Sequence, residues 1–130
     1  MIEKDYILRI LQQFFEDLNT FINRKNKKDL EEDIVSFYNT YVGDYSFYHT
    51  AEINNIINSL DKYTDDEKLY RMQILAELFL QEAQLKTVEN TKYTLLKKSL
   101  TLWECIDSKS NTYSIERIKK IEFIRSKLHK

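Results

Sequence analysis

One glycine, Gly43, and no proline punctuate the 130 residues of this chain. Average usage would supply roughly nine glycines and six or seven prolines. β-Sandwiches, barrels and dinucleotide-binding folds place glycine and proline in their turns, so this poverty argues against them. A phosphate-cradling P-loop needs a second glycine and is excluded. Lysine outnumbers arginine fifteen to five. That bias marks an AT-rich coding sequence, which by itself depletes glycine and proline. The deficit therefore excludes glycine-loop chemistry more firmly than it selects a fold.

Periodicity selects the fold. Six segments repeat apolar residues every three or four positions, the signature of amphipathic helices. The first spans Asp5 to Arg24 and carries Ile7, Leu11, Phe14, Leu18, Phe21 and Ile22, widened by Leu8, Ile10 and Phe15. A face that wide is buried against two neighbours or against a second copy of the chain. The second spans Lys28 to Val42, and Gly43 stands where a C-cap favours glycine. The third spans Ala51 to Leu60, with Thr50 as its expected N-cap. The fourth, to Lys86, opens on the capping box Thr64-Asp65-Asp66-Glu67 and carries a stripe of Leu69, Met72, Leu75, Ala76, Phe79 and Ala83. The fifth spans Thr91 to Asp107, and the sixth spans Ile115 to Leu128 after the cap Ser114. No segment alternates with period two long enough to make a strand. The expected architecture is all-α, one domain over 1–130, with about six amphipathic helices packed as antiparallel hairpins in a bundle or a tetratricopeptide-like stack.

Totals narrow the function classes. The chain is 42% apolar and 32% charged, with a net charge of −1. That balance disfavours an obligate polyanion binder but permits a local basic patch. The single cysteine, Cys105, implies no internal disulfide and hence no oxidising compartment. The first residues carry charges where a signal peptide needs an apolar run. No stretch approaches about 18 uninterrupted apolar residues. A cytoplasmic protein with no membrane span is expected.

Two arrangements resemble a known family. The opening Lys4-Asp5-Tyr6-Ile7-Leu8-Arg9-Ile10-Leu11-Gln12-Gln13-Phe14 is similar to the start of a family of small all-helical bacterial proteins of unknown function. The segments Ile74-Leu75-Ala76-Glu77-Leu78-Phe79-Leu80 and Lys98-Ser99-Leu100-Thr101-Leu102-Trp103, with the tail Tyr113-Ser114-Ile115-Glu116-Arg117-Ile118, resemble its second half. The resemblance implies an all-helical fold with a tetratricopeptide-like helix pair, and no activity. Ala83 and Ser99 stand sixteen apart, as small packing residues do in such a repeat. Leu80 and Lys92 occupy two other small positions, and the terminal proline is missing, so the pair is a repeat-like hairpin.

Few constellations carry chemistry. Phe37, Tyr38, Tyr41, Tyr45, Phe47 and Tyr48 crowd around Gly43-Asp44. Tyr41, Tyr45 and Tyr48 are candidate partner-binding residues, since tyrosine beside a turn is favoured at interface hot spots. The competing reading makes these rings core and staples for the turn. Only His49 and His129 are present, with no paired metal motif, and the inward faces as drawn carry no carboxylate. No cofactor, metal or catalytic residue is expected, and Cys105 reads as a small buried hydrophobe.

The last helix is basic. Lys119, Lys120, Lys127 and Lys130 gather opposite Ile118, Ile121 and Leu128, a candidate polyanion face, with Arg24, Lys25, Lys27 and Lys28 as a second cluster. The competing reading is a solvated face whose cations suit a helix C-terminus. Three functions follow. The first is a non-enzymatic helical interaction or scaffold protein with an unknown protein partner or a homodimeric state. The second is a nucleic-acid-associated protein using the last helix. The third is an enzyme with an unrecognised pocket.

Overall fold

The computed structural model describes residues 2–23, 27–110 and 112–129, with backbone alone at 2–4 and 27–29. It is all-α, with no strand among the described residues. The helices are α1 (Ile2–Ile22), α2 (Lys27–Tyr41), α3 (Tyr45–Thr50), α4 (Ile53–Ser59), α5 (Asp65–Leu85), α6 (Glu89–Lys109) and α7 (Ile115–Leu128). A 3₁₀ turn, Leu60–Lys62, follows α4. No described helix is long and apolar enough to cross a membrane.

The architecture is centred on α5, which packs against α1, α2 and α6, while α7 packs on α6. Every residue from Ile74 to Leu80 on α5 is buried. The expected single stripe is therefore too narrow. A helix with neighbours on several sides buries most of its circumference, and apolar residues all round are the corresponding pattern. α6 packs against it most extensively, and Ser99 sits at that contact. Its hydroxyl donates to the Ala76 carbonyl at 2.7 Å, and both residues are fully enclosed.

The helix starts follow local chemistry. Thr64 accepts from the Glu67 amide at 3.3 Å, and Ser114 from the Arg117 amide at 3.2 Å. Each satisfies an orphan donor of the first turn. Gly43 ends α2 at φ +120°, with its amide and that of Val42 both donating to the Tyr38 carbonyl, at 2.8 and 2.9 Å. Thr50 corrects one expectation. It closes α3, bonding the Ser46 carbonyl at 2.7 Å, and Glu52 occupies the N-cap of α4 without a side-chain bond.

α1 buries Ile7, Phe14, Leu18 and Phe21, half-buries Ile10, Leu11 and Phe15, and leaves Leu8 and Ile22 exposed. Cys105 is partly buried against the core, as a small hydrophobe is.

Candidate functional site

The aromatic turn folds into α3, which sequence periodicity does not reveal because six residues are less than two turns. Its start is local: Asp44 caps it by accepting from the Ser46 amide at 3.0 Å, and Asn39 Oδ1 accepts from the Tyr45 amide at 3.1 Å. Its end is held from a distance. The Lys98 ammonium on α6 donates to the carbonyls of Tyr48 (3.2 Å) and His49 (3.1 Å), groups that a helix C-terminus leaves unpaired. Lys98 is buried, with its ammonium 5.6 Å from the centre of the Phe79 ring, and burial lowers its pKa.

Behind α3 lies a buried carboxylate. Glu82 on α5 is fully enclosed. Oε1 accepts from the Tyr38 phenol at 2.9 Å, and Oε2 from the Tyr45 phenol at 2.6 Å. His49 Nδ1 lies 3.3 Å from Oε2, and the Lys86 ammonium 4.0 Å. A buried charge persists only when it is hydrogen-bonded or paired; the two phenols supply the hydrogen bonds and Lys86 a nearby positive charge. Burial and then Glu82 push the Tyr38 and Tyr45 phenols well above the usual tyrosine range.

Proton accounting fixes the His49 tautomer. Tyr45 has one hydroxyl proton and gives it to Glu82. The nitrogen facing both Tyr45 oxygen (3.1 Å) and Glu82 therefore carries hydrogen when the ring is neutral. Nε2 is then the ring's lone-pair nitrogen. The ring stacks on Tyr45, their centres 5.1 Å apart.

His49 also lines a cleft of about 460 Å³ between the α3–α4 connection and α6. Ala51 and Ile53 supply apolar wall, and Tyr93, Lys97 and Lys98 face them from α6. The Tyr93 ring is 48% exposed, with the Lys97 ammonium 5.3 Å from its centre. The threonine hydroxyls here are committed: Thr50 donates to Ser46, Thr94 to Asn90 and Thr101 to Lys97, each to a backbone carbonyl.

The three candidate tyrosines are part of this frame. Tyr48 is buried, and its hydroxyl donates to the Val42 carbonyl at 3.1 Å. Tyr41 and Tyr45 are half-buried, bonded to Asp17 and Glu82. Burial followed by Asp17 raises the Tyr41 pKa. These phenols brace the turn.

The basic face of α7 is dispersed. Lys120 reaches to Glu77, a buried carboxylate on α5, and lies 5.2 Å from the centre of the Trp103 ring. Lys119 and Lys127 are exposed, the latter 5.3 Å from the Phe123 ring centre. Lys130, Arg24 and Lys25, and the side chains of Lys27 and Lys28, lie outside the described residues. No group of three or more potential metal ligands occurs among the described residues.

Glu77, Glu82 and Lys98 are the residues that the sequence reading missed, and the expectation of inward faces free of carboxylates is overturned by the first two. A signal existed for each. Glu77 interrupts the run Ile74–Leu80, Glu82 is flanked by Leu78, Phe79 and Ala83, and Lys98 stands at helical spacing between Leu95 and Leu102. Comparison with protein-family models, curated proteins and solved structures finds no match to this chain.

Proposed function

We propose that this chain is a non-enzymatic helical interaction module. It uses the α5–α6 pair, the tetratricopeptide-like hairpin of the resembled bacterial family, as its platform, and it offers the cleft beside His49 to a protein partner. The observation that carries this reading is the character of the cleft. It presents an exposed aromatic ring, a lysine and apolar wall, while its threonine hydroxyls are occupied. Such a surface suits contact, in the way interface cores combine aromatic and apolar groups with a polar rim. The buried bonds of Glu82 and Lys98 hold α3 in place beforehand, which lowers the ordering cost of binding. A cytoplasmic location accords with this reading.

A photo-cross-linking residue placed at Tyr93 tests it, with one at Tyr113, beyond the other end of α6, as control. The expected result is a discrete protein adduct at position 93 in extract from the native cells and none at 113. An adduct of twice the chain's mass would identify the homodimer. No discrete adduct at 93, or equal adducts at both positions, would overturn the reading. The nucleic-acid alternative through Lys119, Lys120, Lys127 and Lys130 has less support, because Lys120 is committed to Glu77. A retardation assay at low salt is expected to show no shift.

A further inference from the structure

We propose that the hollow between α1, α5, α6 and the start of α7 is a binding site for a small uncharged ring that carries a carbonyl beside an N–H, a cyclic amide. It shares no lining residue with the His49 cleft and stands or falls independently of the interaction reading.

Trp103 points to a ligand first. Its indole lines the hollow, the residue is 3% exposed, and Nε1–H meets no acceptor among the described residues. Folded proteins leave few donors in that condition, because an N–H stripped of water and left unpaired is costly. The indole can only donate, so its complement is a lone pair.

Two further groups on the same hollow have hydrogen-bonding capacity to spare. Ser114 Oγ accepts from the Arg117 amide at 3.2 Å, and its own proton goes to no described residue. Gln73 on α5 is half-buried, and its carboxamide bonds to no other described residue. That carboxamide offers an acceptor as well as donors. A carbonyl suits the Trp103 and Ser114 protons, and an N–H beside it suits Gln73 Oε1.

Charge argues against an ion. Lys120 is held by Glu77, and Arg117 by Asp107 at 2.8 Å and by the Thr112 carbonyl at 2.7 Å. Glu116, exposed on the rim, is the lining charge that has no bonded partner among the described residues. An anion would meet that carboxylate, and an ammonium has no lone pair for the indole and hydroxyl protons. Size sets the rest. The hollow holds about 190 Å³ and is walled by Phe15, Ile106 and the Trp103 ring. A cavity of about 150 Å³ admits benzene, so one six-membered ring with small substituents fits.

The test is heteronuclear magnetic resonance on the full, isotopically labelled chain, with 2-pyridone as the probe. Trp103 is the sole tryptophan, so its indole N–H gives a single resonance. That proton is expected to move downfield and saturate, with a dissociation constant on the order of 1 mM, a scale open to about seven heavy atoms. Toluene, a ring of similar size without an acceptor, should bind at least about tenfold more weakly, and benzoate no more tightly than 2-pyridone. Gln73→Leu should weaken 2-pyridone about fivefold to tenfold. Trp103→Phe keeps a ring and loses the N–H, and saturation transfer to the probe should show a similar loss. Circular dichroism checks the fold of both variants, and Gln73→Leu decides the matter if Trp103→Phe does not fold. No saturable shift up to about 20 mM 2-pyridone, the outcome if water alone serves the indole, would overturn the proposal. So would toluene binding as tightly as 2-pyridone, benzoate binding more tightly, or an unchanged affinity in either folded variant.

Discussion

The phenol of Tyr45 donates to the carboxylate of Glu82 at 2.6 Å, tying a six-residue helix to the middle of the molecule across 37 positions of sequence. An isolated helix of that length does not persist in water, because nucleation costs more than one turn returns. α3 persists because Tyr45 and Lys98 hold its two ends and Tyr48 is buried beneath it. The cleft beside His49 exists only while α3 stays there.

Replacing Glu82 tests how much of the fold this carboxylate supports. Glu82→Leu strands the Tyr38 hydroxyl in the core and the Tyr45 hydroxyl near it. The expected loss is about 2–4 kcal/mol, the cost of leaving buried donors unpaired. Glu82→Gln retains one acceptor and should lose about half as much. Urea denaturation at constant m-value gives both numbers. A Glu82→Leu chain as stable as the parent would show that the network contributes nothing net.

Alkaline pH attacks the same frame. The phenols of Tyr38, Tyr41, Tyr45, Tyr48 and Tyr70 all titrate above the ordinary tyrosine value, burial being the first cause in each. A raised folded-state pKa favours the neutral form in the folded chain. The stabilisation is fully present below about pH 10, where the unfolded chain is also neutral, and is lost as pH rises through the folded values. The urea midpoint should be flat to about pH 9.5 and then fall. Absorbance of tyrosinate should rise in a step that coincides with unfolding. Smooth ionisation of all nine tyrosines near about pH 10 with helicity retained would refute this.

Caps were the most legible feature of the sequence, and their energetics are separable. Thr64→Ala and Ser114→Ala each remove an acceptor for a first-turn amide and should cost about 1 kcal/mol. Thr50→Ala removes only a bond to a carbonyl within α3 and should stay within about 0.5 kcal/mol. Denaturation of the three variants ranks them, and a Thr50 effect as large as the other two would restore it as a cap.

The contrast between these threonines shows what periodicity and local chemistry can tell. Thr64 is followed by a capping glutamate and 21 residues of helix, so pattern and cap agree. Thr50 also precedes an apolar repeat, but α3 already occupies it, and α3 depends on Lys98, 49 and 50 residues away from the carbonyls it holds. Long-range contacts of that kind leave no local trace. The buried charges were hidden for another reason. Assigning each helix one inward stripe presumes solvent on the other side, and α5 has neighbours on several. Glu77 and Glu82 fall off the stripe and are buried all the same. The tyrosine cluster was legible as a cluster, while the destination of each hydroxyl required the fold.

Glu77 and Lys120 provide the sharpest stability test, because their bond fastens α7 to α5 across the Trp103 ring. Glu77 is 4% exposed, and among the described residues only Gln81 donates to it besides Lys120, at 3.3 Å. Trp103 is itself buried, with its indole Nε1 unpaired. Lys120→Met leaves a charge in the core. Removing one partner of a fully buried pair costs about 3–5 kcal/mol, and the partial exposure of Lys120 reduces this to about 2–3 kcal/mol. Adding Glu77→Gln removes the stranded charge and should recover about 1–2 kcal/mol, a coupling that a double-mutant cycle measures directly. Emission from the sole tryptophan reports the same site locally and should shift in Lys120→Met. Additive losses in the cycle would mean that the two charges are solvated independently and that α7 is held by its apolar contacts through Ile121 and Ile124 alone.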